Sequence, residues 1–387
     1  MDSDRNALLE RARSLAPSLA ERAQKAEEQR APLDETIRDL TDAGFFSILT
    51  PKVYGGRELG LDVAADVVRT LSAACPSTGW ITAFYTGAAW RMTIFPEQAQ
   101  REVFADKEYA LTAATGAPLK GVQKVKGGYQ ISGRAAWASG SVHADWFTFA
   151  GIAVDEDSGP AHLWFLVPRQ DVEVLDTWYI AGMSGTGSND VQVEDVFVPD
   201  HRTGPFALAL AGAAPGQLLH PNPMYHIPFI PFAMAEVTPV VVGAMRGAAD
   251  SFVQRTRDRQ GTISQEKASG KQAAQMRLGR ALACAEAAET LLAAYIDRAT
   301  SNRPEQSDPR DRAEMKLRVA YIVDMCRNGM NDIVRGIGAD GFRNSSSLQR
   351  FYRDINLLAV HAFLDIDTAS ETSGRFTLGL PPTDPLV

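Results

Sequence analysis

A mainly α chain with a central β domain is the fold class that this sequence predicts. Three observations carry it. Apolar residues recur near helical spacing over the first hundred residues, the spacing changes to period two from Tyr109, and long amphipathic helical patterns return after a proline-rich connection. The expected units are an N-terminal helical domain over residues 1–107, a small antiparallel β domain over 108–205 and a C-terminal four-helix bundle over 206–387.

Each element follows from local signals. Ala7, Leu8, Ala12, Leu15 and Ala16 mark the apolar face of a first helix, with Arg and Glu opposite. Pro32 opens a second, which carries Ile37, Leu40 and Ala43 and stops at Gly44. Helices follow over 62–74, over 78–94 behind Pro76 and Ser77, and over 97–104 behind Pro96. In the β domain, Gly127-Gly128 between Val122-Gln-Lys-Val-Lys and Tyr129-Gln-Ile-Ser is a two-residue hairpin signal. Strands are expected over 146–153 and 162–167 with a turn over 155–160, and over 191–198, where Glu194-Asp195 interrupts the alternation as a bulge. After Pro215, Pro221, Pro223, Pro228 and Pro231 come helices over 237–259, 267–300 and 310–337, the last capped by Ser307-Asp308-Pro309 and ended by Gly338. A fourth is expected over 347–373, stopped by Gly374.

Composition narrows the function classes. The chain has 387 residues, and its net charge of −8, with 39 basic against 47 acidic residues, argues against a nucleic-acid surface. No apolar run reaches transmembrane length. The three cysteines, Cys75, Cys284 and Cys326, form neither a disulfide framework nor a metal spacing, which points to a reducing cytoplasm. The six histidines are scattered, so no metal is expected. No Gly-x-Gly-x-x-Gly follows a strand, so a Rossmann site for NAD is not expected.

Three strings carry chemistry. The first runs from Trp178 through Gly182, Gly185, Thr186, Gly187 and Ser188 to the strand that ends at Pro199. Its glycines free the backbone and its hydroxyls offer donors to a planar or anionic group. The second is Gly133-Arg-Ala-Ala-Trp-Ala-Ser-Gly-Ser-Val-His-Ala-Asp-Trp146, and the third is Arg353-Asp-Ile-Asn-Leu-Leu-Ala-Val-His-Ala362.

Together these strings resemble signatures of the acyl-CoA dehydrogenase superfamily, and the Val-Phe-Val-Pro-x-His-Arg run looks most like its flavin-dependent monooxygenase branch. That branch includes the oxygenase components of hydroxyphenylacetate and steroid-phenol hydroxylases. The order helices, β domain, bundle matches the same fold, so the resemblance spans nearly the whole chain. It implies an oxygenase component of a two-component system. Reduced flavin, FMN or FAD, comes from a separate NAD(P)H-dependent reductase, reacts with O₂ to give a C4a-(hydro)peroxide, and hydroxylates a small phenol- or indole-like aromatic. A homotetramer is implied as well.

The resemblance also distributes roles. Ser139 falls where relatives hydrogen-bond the flavin near N5, and Trp137, Ser141, Gly185, Thr186 and Ser188 join it as cofactor-binding candidates. Trp137 either stacks near the ring or fills core. His143 reads as structural, beside Asp145. Arg257, Arg259 and Ser346, in the loop before the last helix, are candidates for the flavin phosphate. His361 stands near where the dehydrogenases carry their Glu-Gly base, on a helix that bears a catalytic histidine in monooxygenase relatives; it would deprotonate or hydrogen-bond the substrate. Tyr85, Trp90 and Thr115 complete the substrate-pocket candidates, because the helix over 78–94 lacks the histidine that several phenol-hydroxylating relatives place there. That departure leaves C- against N- or S-oxygenation open. A dehydrogenase-like flavoenzyme would need a carboxylate near His361, and Asp365 and Asp367 come a turn or more later.

Overall fold

Helix α1 (Asp2–Gln29) lays Leu8, Ala12, Leu19 and Ala23 into the core, as the helical period requires. The structure is a computed structural model and describes residues 2–155, 159–260, 267–301 and 308–384. Helix α2 (Asp34–Asp42) stops where Gly44 takes a left-handed φ of 77°. Helices α3 (Leu61–Ser72), α4 (Pro76–Met92) and α5 (Glu97–Val103) follow. Helix α4 is buried almost all round, so it has no polar face and serves as the hub of the helical layer.

Among the described residues, eight strands then form two four-stranded sheets. One has the order β1 (Thr112–Leu119), β4 (Trp146–Asp155), β5 (Gly159–Pro168), β8 (Thr203–Pro205); the other runs β2 (Gly121–Val125), β3 (Gly128–Ala138), β7 (Asn189–Pro199), β6 (Glu173–Leu175). The expected hairpin joins β2 to β3, and the ladder between β3 and β7 slips between Val196 and Val193, which places the bulge at Glu194-Asp195. Asp195 takes the left-handed φ of 52° that such a bulge imposes. One expectation fails. The domain is not wholly antiparallel, because β1 pairs with β4 in parallel. The chain leaves β1, makes the hairpin in the other sheet, and returns to run beside β1 in the same direction. Ala113, Phe147, Phe149, Phe165, Val191 and Val193 fill the space between the sheets. Of the turn expected over 155–160, residues 156–158 lie outside the described residues.

After the short α6 (Phe206–Leu210), α7 (Phe229–Asp258), α8 (Gln272–Thr300) and α9 (Pro309–Ile337) pack as the bundle core. Helix α7 is long and apolar enough to cross a membrane, but its most apolar window is 89% buried inside the protein. It begins eight residues before the expected start, with Pro228 as its N-cap and Pro231 in its first turn, where a missing N–H costs nothing. Asp308 caps α9 by accepting from the Arg310 N–H at 2.9 Å; Ser307 lies outside the described residues.

The expected fourth helix is two. Helix α10 (Ser347–Leu358) ends, a turn carries His361, and Asp365 caps α11 (Ile366–Thr377) by accepting from the Thr368 N–H. Gly374 stays inside α11; the left-handed residue that ends it is Gly379, with φ 72°.

Candidate active site

The glycine-rich loop before β7 is clamped from both sides. Met183 adopts a left-handed φ of 52°, its N–H donates to Asp354 Oδ1 on α10 at 2.5 Å, and its carbonyl accepts from Trp178 Nε1 at 3.2 Å. Gly185 presses on α1 and α4: a Cβ there would lie 3.2 Å from Ser77 Cβ and 3.3 Å from Ala26 Cβ. The loop's side-chain hydroxyls are spent inside the fold. Its hydroxyls run inward along a chain. Thr186 Oγ1 donates to the Met183 carbonyl at 2.8 Å, Thr186 Oγ1 and Ser188 Oγ lie 2.7 Å apart, and Ser188 Oγ and Ser139 Oγ lie 2.8 Å apart. Ser141 anchors the same junction by donating to the Gly187 carbonyl at 2.9 Å.

Ser139 thus ends a buried relay, and Trp80 on α4 completes its surroundings by donating from Nε1 at 3.0 Å. The Trp80 indole also meets His361, 5.6 Å between ring centroids in an edge-on arrangement. Phe84, one turn along α4, lies 5.0 Å from Trp80, and Phe363 lies 5.7 Å from His361. Ser139 and His361, far apart in sequence, are therefore joined through one tryptophan. Sequence reasoning missed Trp80, because an indole on an apolar helix reads as core; the signal that could have found it is the Ser-Thr-Gly-Trp turn at Ser77–Trp80 where α4 begins.

His361 sits in the turn after α10, not on a helix. Its Nδ1 accepts from the Phe363 N–H at 3.3 Å, so the neutral ring carries its proton on Nε2. Burial among the aromatic rings pushes its pKa down to about 4. At neutral pH the residue is an uncharged Nε2–H donor with nothing to gain by holding a second proton.

Comparisons with known proteins identify the family. Residues 2–107 match the acyl-CoA dehydrogenase N-terminal domain and residues 236–366 match an acyl-CoA dehydrogenase C-terminal domain. A pigment production hydroxylase from Rhodococcus sp. (strain ATCC 21145) is 74% identical over 100% of both chains. The oxygenase subunit HsaA of a flavin-dependent monooxygenase from Rhodococcus jostii (strain RHA1) is 31% identical over 98% of this chain and 100% of its own. The solved structure of XiaF from Streptomyces sp., in complex with FADH2 and glycerol, superposes with a TM-score of 0.89 at 28% identity, covering 98% of this chain and 97% of that one. The chain belongs to the flavin-dependent monooxygenase oxygenase components of the acyl-CoA dehydrogenase fold. It is an enzyme of that class, its cofactor is reduced flavin, and an oxygenase component implies a separate reductase partner.

The residues of this oxygenase component fit a flavin. Thr115 is buried on β1, and its Oγ1 has no partner among the described residues. Just beyond it the ladder to β4 breaks, leaving Gly116-Ala-Pro118 unpaired. Trp137 departs from a core role: it is 66% exposed with a left-handed φ of 67°, two residues before Ser139. A planar ring laid over Trp137 and against Ser139 would cover the first and meet the hydroxyl of the second.

Other candidates fall elsewhere. Tyr85 and Trp90 do not line an opening; both are fully buried, with the Tyr85 hydroxyl donating to the Gly140 carbonyl at 2.6 Å and Trp90 Nε1 donating to the Met224 carbonyl at 3.0 Å. The helical period puts Trp80 and Phe84 on the face toward His361 instead. His143 pairs with Asp34 at 2.8 Å, while Asp145 pairs with Lys107. Arg257 is exposed, and Arg259 donates to the Gly336 carbonyl at 3.1 Å. The arginine that joins Ser346 at an open cavity of about 510 Å³ is Arg255, with Arg343 across from it.

Asp354 holds the glycine-rich loop at a cost. Burial pushes its carboxyl up to about 7, against the lowering effect of the Met183 N–H. Between its ordinary value of 3.8 and about 7 the folded protein holds a proton that the unfolded chain has lost, so stability falls as pH rises through that window. Asp354→Asn should keep an acceptor for Met183 and flatten this slope. Urea unfolding at pH 5 and pH 8 checks it: the wild type loses more stability between the two than the variant does.

Proposed function

We propose that this oxygenase component hydroxylates a small aromatic of the phenol or indole type. The observation that carries the reading is the run of aromatic contacts from Phe84 through Trp80 and His361 to Phe363, set beside the Ser139 relay. When bound, reduced flavin supplies the O₂ activation and the oxygen transfer. The chain's own residues do the rest. Ser139 and Trp137 hold the flavin ring edge and face, and Thr115 offers its hydroxyl to the ring or the substrate. The aromatic walls exclude water and orient a flat substrate. His361 donates from Nε2 to a phenolic oxygen and stabilises the negative charge that gathers there as the ring is hydroxylated. Arg255 and Ser346 are the candidates for the flavin phosphate.

Self-association into a homotetramer is part of this reading.

The test is anaerobic mixing followed by oxygen. NADH, NADPH and acyl-CoA thioesters should each fail to bleach the flavin-loaded protein. Free reduced FMN or FAD with ¹⁸O₂ and a panel of phenols and indoles should give a labelled hydroxylated product by mass spectrometry. Bleaching by an acyl-CoA would instead favour the dehydrogenase chemistry of the same fold.

A further inference from the structure

Two thiols that the oxygenation chemistry leaves unused meet inside the bundle. Cys284 on α8 and Cys326 on α9 are both free cysteines. The buried Ala281, Ala285 and Ala288 let α8 lie close against its neighbours. On α9, Gly329 gives the Cys284 side chain its room, because a Cβ there would lie 2.7 Å from Cys284 Sγ. The same sulfur lies 3.4 Å from the Met325 carbonyl, to which its thiol donates. Cys284 Sγ is therefore seated on the α9 backbone beside Cys326, and the Cys326 thiol hydrogen-bonds to it. The two thiols differ in access: Cys326 is fully buried, whereas Cys284 is half-buried. They differ in acidity as well. The hydrogen bond from Cys326 lowers the pKa of the Cys284 thiol, against the effect of burial. The same bond, and then burial, raises that of Cys326. The more reachable sulfur is thus also the one that more readily gives a thiolate.

We propose that Cys284 and Cys326 are a peroxide-oxidised pair, in which Cys284 attacks hydrogen peroxide and Cys326 then closes an intramolecular disulfide between α8 and α9. The peroxide has a source beside it: reduced flavin and O₂ give oxidised flavin and hydrogen peroxide whenever no aromatic takes the oxygen. In the first step the Cys284 thiolate displaces hydroxide from the peroxide and becomes a sulfenic acid. In the second, the Cys326 sulfur attacks the Cys284 sulfur and the S–O bond breaks. The departing hydroxide takes the Cys326 proton and leaves as water. Together the two thiols lose two electrons and two protons, and one peroxide becomes two waters. Because the sulfurs are already in hydrogen-bond contact, closure outruns further oxidation of Cys284 to the sulfinic acid. The step uses neither Ser139 nor His361. An oxygenase that leaks peroxide is thereby marked by a reversible crosslink in its bundle rather than by irreversible damage.

The experiment counts thiols. The full chain is treated with hydrogen peroxide, quenched with catalase, unfolded and titrated for free sulfhydryls. The count should fall from three to one, with a mass loss of two hydrogens, and dithiothreitol should restore it. Peptide mapping should join Cys284 to Cys326 and leave Cys75, whose thiol is pushed up by burial, as the remaining one. Cys284→Ser should slow thiol loss at least about tenfold. Cys326→Ser should still react but stop at a sulfenic acid, which dimedone traps. Three thiols after treatment, a crosslink between two chains, or equal oxidation rates in the wild type and Cys284→Ser would overturn the proposal. If either variant does not fold, the wild-type count and the mapped crosslink decide by themselves.

Discussion

His361→Ala is expected to lower hydroxylated product per flavin oxidised by about 10- to 100-fold, the worth of a hydrogen bond to a charge-bearing oxygen. Oxygen should still be consumed, with hydrogen peroxide released in place of product. The Nδ1 of His361 is occupied by the Phe363 N–H, so Nε2 is the donor, and the aromatic walls hold the ring neutral down to about pH 4. His361→Gln, which restores a donor at similar reach, should recover part of the coupling. The pH profile should show no inflection near 6.5, the ordinary histidine range, because a folded-state value near 4 leaves the residue uncharged throughout that region. Measuring product and peroxide together from pH 5.5 to 8.5 checks both statements. A profile that breaks near 6.5 in the wild type and loses the break in His361→Ala would mean that the ring titrates during turnover and acts as a base.

Trp80→Ala should be the more disruptive change, because one side chain serves two neighbours. It removes the donor to Ser139 and the wall against His361 at once, and it leaves a cavity where a buried indole stood. The cavity alone should cost about 3–5 kcal/mol of stability. Coupling of oxygen to product should fall below that of either neighbour's single variant. Trp80→Phe separates the two roles: it retains most of the wall and loses only the N–H. The thermal midpoint should then stay near the wild type, while peroxide release rises. If Trp80→Phe couples as well as the wild type, the N–H does not matter to the ring pocket and Trp80 is only a spacer.

What the sequence made legible follows from how local each signal is. Ser139 stands within a contiguous string, so its neighbours could be read beside it. The same is true of the bulge at Glu194-Asp195, the cap at Asp308 and the hairpin at Gly127-Gly128. The order of helices, strands and bundle was visible in the changing period. Trp80 was not, because its two partners lie 59 and 281 positions along the chain and an apolar helix gives no hint of which ring matters. The break that carries His361 was hidden as well, since Ala359, Val360, Phe363 and Leu364 continue an apolar pattern through it; only the Asp365 cap marks the new start. The parallel pairing of β1 with β4 is a matter of route between sheets, which no local pattern encodes.

The clamping of the glycine-rich loop also bears on how the chain assembles. Met183 is tied to a residue 171 positions later, and the same helix, α10, reaches Glu27 on α1 through Arg350, a separation of 323. Contacts of such long range close slowly, because the intervening chain must be ordered before they form. During synthesis the N-terminal helices and the β sheets emerge first, so the Ser139 relay waits with its loop held on one side only until α10 has left the ribosome. The active site is therefore among the last parts of the molecule to be completed, because Met183 gains its Asp354 partner only once α10 has formed.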